Sequence, residues 1–290
     1  MRMKDSPEKK RRPRQLLFGV TAAVMMPLLV LGLLEGGLRL VGFGYSTKFF
    51  AKERVDGKTV VTTNHTFTYQ FFPPALARGM IPLKFPAAKP DKTYRIFLFG
   101  ESAANGDPDP AYGFGRQLEL FLEYRFPETD FEVHCTAITA INSHVILPIA
   151  RECASLESDL WLIYMGNNEV VGPYGAGSRF GKRAASTGTI RSGLALRKTR
   201  LGQALNQMLQ AGKDRSAIPD NWEGIEMFAD TLLRPDDPAL DSVYSNFEEN
   251  LEDILGIAEE HSIPVLLSTV SSNLRDSGPF ASLHDRAPCS

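Results

Sequence analysis

The chain has 290 residues, 43% of them hydrophobic, enough to bury one sizeable core and leave room for a peripheral segment or insertion. Its 32 basic and 34 acidic side chains give a formal net charge of -2, which argues against a polyanion-binding surface over the whole molecule and against a nucleic-acid partner. Cys135, Cys153 and Cys289 stand far apart without CxxC or His-rich spacing, so neither a metal site nor a disulfide framework can be read from them, and no cofactor is implied.

Residues 1–14 form a basic tail, and residues 15–34 (QLLFGVTAAVMMPLLVLGLL) carry no charge. Roughly 20 residues at about 1.5 Å rise match the ~30 Å hydrocarbon core of a bilayer, which predicts one transmembrane helix. Pro27 inside it is tolerable in a membrane helix. Lys9, Lys10, Arg11, Arg12 and Arg14 precede the run, whereas Glu35 and a lone Arg39 come after it. That bias puts the N-terminus in the cytoplasm and the main domain in the periplasm or cell exterior. A cleaved signal peptide is the competing reading, but its apolar region is normally about 7–15 residues and ends at a small-residue site. No AxA-like site follows Leu34, which favours an uncleaved signal-anchor.

Residues 35–91, rich in Gly, Pro and aromatic side chains without sustained period, read as a connector, with short strands expected at Lys58 to Thr63 and Thr66 to Phe71. Asn64-His65-Thr66 matches the glycosylation triplet, a pattern frequent by chance. From residue 92 to 290 apolar runs alternate with amphipathic stretches, the mark of an α/β domain. Strands are expected at Arg95 to Phe99, Phe131 to Cys135, Leu160 to Met165 and Ile263 to Val270. Helices are expected around Phe114 to Arg125, Val145 to Cys153 and Leu251 to Ala258. Right-handed crossovers would make the sheet parallel. Residues 172–241, with Arg179, Lys182, Arg183, Arg191, Arg197, Lys198 and Arg200 in the first half, are too long for an ordinary loop. They read as a helical insertion with a solvated basic face, or else as a lid above the sheet.

In open α/β sheets ligands bind beyond the carboxyl ends of the strands, so the residues just after each apolar run are the informative ones. Here they are Gly100-Glu101-Ser102-Ala103-Ala104-Asn105-Gly106, then Ala137 through Ser143, then Gly166-Asn167-Asn168-Glu169. A serine at a strand-to-helix turn with two amide-bearing loops beside it suits acyl transfer: the serine attacks, and N–H groups hold the oxyanion. The plainer alternative makes Ser102 a helix N-cap. A phosphate-binding turn lacks its motif, since neither GxGxxG nor GxxxxGK[ST] is present.

Gly-Glu-Ser(x3)-Gly at Gly100 to Gly106 resembles block I of the SGNH/GDSL hydrolases, and Gly-Asn-Asn-Glu at Gly166 to Glu169 resembles their block III. Thr136 to His144 and Met165 to Gly175 further resemble a membrane-anchored bacterial branch whose members often continue into tetratricopeptide repeats. The resemblance covers roughly Lys92 to Phe280. It implies a parallel-sheet three-layer sandwich, SGNH/flavodoxin-like, behind the transmembrane helix. It also implies Ser102 as nucleophile and as one backbone oxyanion donor, with the Asn168 side chain as another. Glu101 and Glu169 stand where the family usually has Asp, a mild departure if both shape the turn rather than react. The block II glycine has no clear counterpart in Ala137 to Ala140, although Asn142 can substitute as an oxyanion donor. Asn273 and Asp276, after the fourth strand, are expected to border the cleft or to form a turn.

The family's Asp-x-x-His block finds no match: none of His65, His134, His144, His261 and His284 has Asp three residues before it. Only His284 is placed near the expected region, as a base or as a surface-loop histidine. The chain ends at Cys289-Ser290 without a closing helix, so a longer protein is expected to supply the missing partner. Two functions stay open: an esterase acting outside the cytoplasm on an ester-bearing envelope lipid or glycan, and a non-catalytic, membrane-tethered binding or assembly module on the same scaffold.

Overall fold

The computed structural model describes residues 13–180, 183–211, 222, 224–271, 273, 275 and 276. They fall into two compact units, one made of residues 13–45 and 195–211 and the other of residues 46–194 and those from 222 onward.

The first unit is built on α1 (Pro13–Leu40), whose stretch Phe18–Leu40 is long and apolar enough to cross a membrane. Large apolar side chains from Phe18 to Leu34 are exposed to the surroundings, the arrangement expected of a helix whose solvent is lipid. With it goes α6 (Arg200–Ala211).

The second unit has two sheets. A small antiparallel one, ordered β1-β2-β3, joins β1 (Phe50–Val55), β2 (Lys58–Thr63) and β3 (Lys84–Pro86). The stretch expected as a strand from Thr66 to Phe71 is instead a single 3-10 turn, Phe67–Gln70, because its aromatic side chains turn inward together: Phe67 and Phe71 are buried with ring centroids 5.6 Å apart. Residues 46–91 thus share an apolar core with the larger sheet, through Phe50 and Phe85 packed on Phe97 at 6.4 and 6.0 Å.

That larger sheet is wholly parallel and contains β4 (Thr93–Gly100), β5 (Asp130–Cys135), β6 (Leu160–Tyr164) and β7 (Val265–Leu267) in the order β5-β4-β6-β7. Period-two alternation sends Phe97, Phe99, Trp161 and Ile163 to one face, where α4 (Ser143–Cys153) and α7 (Ala239–Glu260) contribute Val145, Ile146, Ile149, Ile254 and Ala258. Ile96, Leu98 and Leu162 face the other way against Phe114, Leu118 and Leu122 of α3 (Phe114–Arg125). The three-layer α/β architecture results from strands buried on both faces.

The insertion is helical, with α5 (Thr187–Arg197), α6 and a 3-10 segment Gly224–Thr231. Its basic residues differ from expectation, because several serve as ties rather than as a solvated face. Arg179 bonds to the Met227 carbonyl and to Asp230 at 3.2 Å, Arg183 donates to the Ser178 carbonyl at 2.7 Å, and Arg191 donates to Asn250 at 3.0 Å and pairs with Asp253 at 3.0 Å. These charge-assisted hydrogen bonds act beside the insertion's buried apolar side chains, among them Phe180, Ile190, Met227 and Phe228.

At the amino end of β4 the wholly buried Arg95 gathers four partners. It pairs with Glu132 at 2.7 Å and donates to the carbonyls of Leu156 (2.9 Å), Pro86 (3.0 Å) and Ala87 (3.4 Å), with its guanidinium 5.0 Å from the Phe85 ring centre. One side chain thus joins β3, β4, β5 and the loop before β6. Replacing it with an uncharged residue strands these acceptors, and Arg95→Met is expected to destabilise the fold by about 3–5 kcal/mol in chemical denaturation of the detergent-solubilised chain.

Candidate active site

The site is set by how closely β4 and β6 end together. Gly100 is opposite Tyr164 in the ladder, and a Cβ on it would sit 2.6 Å from the Tyr164 carbonyl oxygen and 2.4 Å from Ala104 Cβ. Glycine alone lets the chain turn there directly into α2 (Ser102–Asn105), with Ser102 half-buried at its first position. Gly166, at φ 131°, makes the corresponding turn after β6 in a region that L side chains rarely adopt.

Between these two turns lies Glu101, which is buried. Its carboxylate accepts hydrogen bonds from the backbone N–H groups of Gly166 at 3.3 Å and Asn168 at 3.1 Å. The residue next to Ser102 is therefore bonded to the backbone of Asn168, which brings the two predicted site residues to adjoining loops. Glu169 does the same in the other direction, accepting from the Ser143 N–H and the Ser143 hydroxyl, each at 2.8 Å. Asn105 donates to the Ala137 carbonyl at 2.9 Å, and Asn142 donates to the Pro173 carbonyl at 3.0 Å. All three strand-end loops are laced to one another by side chains.

Within this lacing the amide groups differ. The Asn168 side-chain nitrogen is buried and has no acceptor among the described residues. Asn142 is wholly buried and spends its amide nitrogen on Pro173, leaving its Oδ1 without a donor among the described residues. Asn167 is exposed. Ala140, in the segment compared with the block II glycine, has φ 64°, so alanine here occupies left-handed backbone that costs a non-glycine residue roughly 1–2 kcal/mol. Asn273 and Asp276 are exposed, and the Asn273 side-chain oxygen accepts from the Arg275 and Asp276 N–H groups at 3.2 and 2.9 Å, closing a turn.

Among the described residues no side chain is hydrogen-bonded to Ser102. His134 stacks on Phe85 with ring centres 3.8 Å apart, and His261 meets the Ile257 carbonyl at the end of α7. His144 is buried, bonded through Nδ1 to Asn250 at 2.9 Å, and burial followed by the nearby Arg191 charge lowers its pKa to about 4. His65 is exposed, and His284 lies outside the described residues. Ser143, His144 and Asn250 form a polar cluster around Glu169 that sequence reasoning missed as a unit; the first two adjoin Asn142, but nothing in α7 signals Asn250. A cavity of about 310 Å3 backs the α2 turn, walled by Ile81, Leu83, Asn105, Arg116 and Cys135, and Ser102 does not line it. Cys135 and Cys153 are free thiols whose pKa burial raises, to about 11 for Cys135, which makes both unreactive.

No protein-family model matches the chain, and no curated protein does. Among solved structures it is similar to TesA, with 16% identity over 59% of this chain and 76% of that one and a TM-score of 0.27. It is also similar to AlinE4, an SGNH-hydrolase family esterase, with 12% identity over 61% and 77% and a TM-score of 0.26. Identities this low concern the fold alone, and TM-scores this low carry nothing about activity across to this chain.

The two glutamates make the site pH-sensitive. Burial, then the like charge of Glu169, pushes Glu101 from the usual 4.5 up to about 8 against the pull of its N–H partners; burial pushes Glu169 up to about 7. Each holds its proton more tightly when folded, so stability is greatest at low pH and is lost as pH rises through these values. His144 works oppositely, adding stability as pH rises from about 4 to 6.5, above which it is neutral in both states. Between pH 6.5 and 8 the melting temperature is therefore expected to fall. Glu169→Gln keeps one acceptor oxygen for the Ser143 N–H, turns an NH2 donor toward the Ser143 hydroxyl, and removes one titration together with its repulsion of Glu101, so its fall should be shallower when followed by circular dichroism.

Proposed function

We propose that this chain is a serine ester hydrolase of the SGNH/GDSL type, anchored in a membrane by α1 and acting outside the cytoplasm on an ester-bearing envelope lipid or glycan. The observation that carries the reading is the buried, acceptor-free side-chain nitrogen of Asn168 in the loop bonded to Glu101, beside Ser102. In this reading the Ser102 hydroxyl attacks the ester carbonyl and loses its proton to a general base. The carbonyl oxygen, now negative, accepts hydrogen bonds from Asn168 Nδ2 and the Ser102 N–H, the first and hence unpaired donor of α2. Collapse of the tetrahedral intermediate expels the alcohol and leaves an acyl-enzyme that water hydrolyses. Glu101 and Glu169 hold the loops in place and take no part in bond making.

The base is His284 or a group supplied from outside this chain, since the four described histidines have no hydrogen bond to Ser102. That same circumstance favours the second reading, a tethered binding or assembly module that keeps the scaffold without turnover. Labelling with a fluorophosphonate probe decides between them. The full-length gene product in detergent is expected to label and its Ser102→Ala variant to remain unlabelled; equal signals, or none in either, would overturn the enzymatic reading.

Asn168→Ala provides a finer test. Loss of one oxyanion donor is expected to lower kcat/KM for a p-nitrophenyl ester roughly 10²–10³-fold with the fold intact, about 2.7–4 kcal/mol of transition-state stabilisation. An unchanged rate would remove Asn168 from the machinery.

A further inference from the structure

Helix α6 is unusual for a surface helix. Leu201, Ala204, Leu205, Met208 and Leu209 recur at i, i+3, i+4, i+7 and i+8 along one side, with Gln203, Asn206, Gln207 and Gln210 on the other. The apolar face is not packed away: Leu205 is 49% exposed, Met208 74% and Leu209 61%. An apolar helix face left open to water costs free energy, so a soluble medium is the wrong environment for it.

The way α6 begins shows which medium fits. All four of its leading N–H groups are satisfied. Arg200 and Leu201 donate to the two Glu35 carboxylate oxygens at 3.0 and 2.9 Å, Gly202 donates to the Thr199 hydroxyl at 2.9 Å, and Gln203 donates to the Thr199 carbonyl at 3.1 Å. Glu35 belongs to α1, in its last turns. The Gln203 side chain then clamps the chain beyond α1, accepting from the Tyr45 N–H at 2.9 Å and donating to the Tyr45 carbonyl at 3.0 Å. Complete satisfaction of a helix start by protein groups is what a water-poor setting demands. On the membrane-anchor reading, Glu35, which directly succeeds the uncharged run 15–34, places this joint in the last turns of the spanning stretch Phe18–Leu40.

Two further features agree. Leu40 and Val41, at the end of α1, are 90% and 77% exposed, so apolar surface continues past Glu35 on the same unit. No acidic residue occurs between Phe180 and Asp214, while Arg197, Lys198 and Arg200 lead into α6, a local positive charge in a chain of net charge -2. Basic residues beside an apolar helix face are the pattern of a helix lying in the interface of an anionic bilayer.

We infer that α6 lies on the bilayer surface on the domain's side, its Leu205-Met208-Leu209 face among the lipid chains, held at that depth by the Glu35 cap. The inference rests on the membrane-anchor reading given under the proposed function and adds a second, lateral contact to it. The test is photolabelling of the full chain in vesicles of phosphatidylcholine and phosphatidylglycerol, with a phospholipid carrying a diazirine near its carbonyl group, and then mapping of adducts by mass spectrometry. Adducts are expected on 200–211 as well as on 18–40, and several-fold more on 200–211 than on the exposed Phe121 and Tyr124 of α3, the control for unspecific labelling. In the triple variant Leu205→Gln, Met208→Gln, Leu209→Gln, the 200–211 adducts should be lost while those on 18–40 persist. Adducts on 18–40 alone, equal labelling of α3, or unchanged 200–211 labelling in the triple variant would overturn the inference and leave the anchor standing. Absence of adducts on 18–40 would remove the anchor reading itself, and this inference with it.

Discussion

The arrangement of the site depends on one buried carboxyl group. Glu101 occupies the gap between the turn after β4 and the turn after β6, and its two oxygens face the N–H groups of Gly166 and Asn168. Those N–H groups belong to irregular backbone that no ladder serves, and leaving a buried one unpaired costs about 1–3 kcal/mol. By meeting that need the Glu101 carboxyl group ties the position of Ser102, its immediate neighbour, to that of Asn168. A shorter or apolar side chain at 101 would remove this tie, and no other described side chain is hydrogen-bonded between the two loops.

The same device recurs outward from that point. Glu169 bonds to the start of α4, Asn105 reaches the loop after β5, and Asn142 reaches the Pro173 carbonyl. The carboxyl edge of the sheet is therefore a polar lattice in which each loop is held by a side chain from another. Placing two glutamates in it has a cost, visible in the raised pKa of both. At the opposite edge Arg95 performs the complementary task with a buried cation and carbonyl acceptors. Between the two polar edges the sheet is almost purely apolar, with Phe97, Phe99, Trp161 and Ile163 buried, so lateral order comes from packing and axial order from these tethers.

The insertion obeys a related logic with weaker means. Arg179, Arg183 and Arg191 each spend their guanidinium on a carbonyl, an amide or a carboxylate nearby, alongside the burial of Phe180, Ile190, Met227 and Phe228 in the core. Where the insertion meets α1 the tie reverses sign: there a carboxylate, Glu35, receives the first N–H groups of α6. Charged ties and buried apolar side chains thus both hold the described parts of residues 172–241.

Much of this was legible in the residues alone. The uncharged run 15–34 announces a helix long enough to cross a bilayer because roughly 20 mostly apolar residues carry no charged side chain. The runs Arg95 to Phe99 and Leu160 to Met165 announce strands buried on both faces, and the Gly, Ser and Asn residues just after them mark the edge where a site can form. Periodicity is a property of neighbouring positions, so it survives without a fold. Hydrogen bonds between loops far apart in the chain do not. That Glu101 would clasp Asn168, that Glu169 would hold Ser143 with Asn250 107 residues away completing the cluster, and that Phe67 and Phe71 would turn inward as a 3-10 segment were decided only when the strands came together, because each depends on where a distant backbone group or ring finally lies.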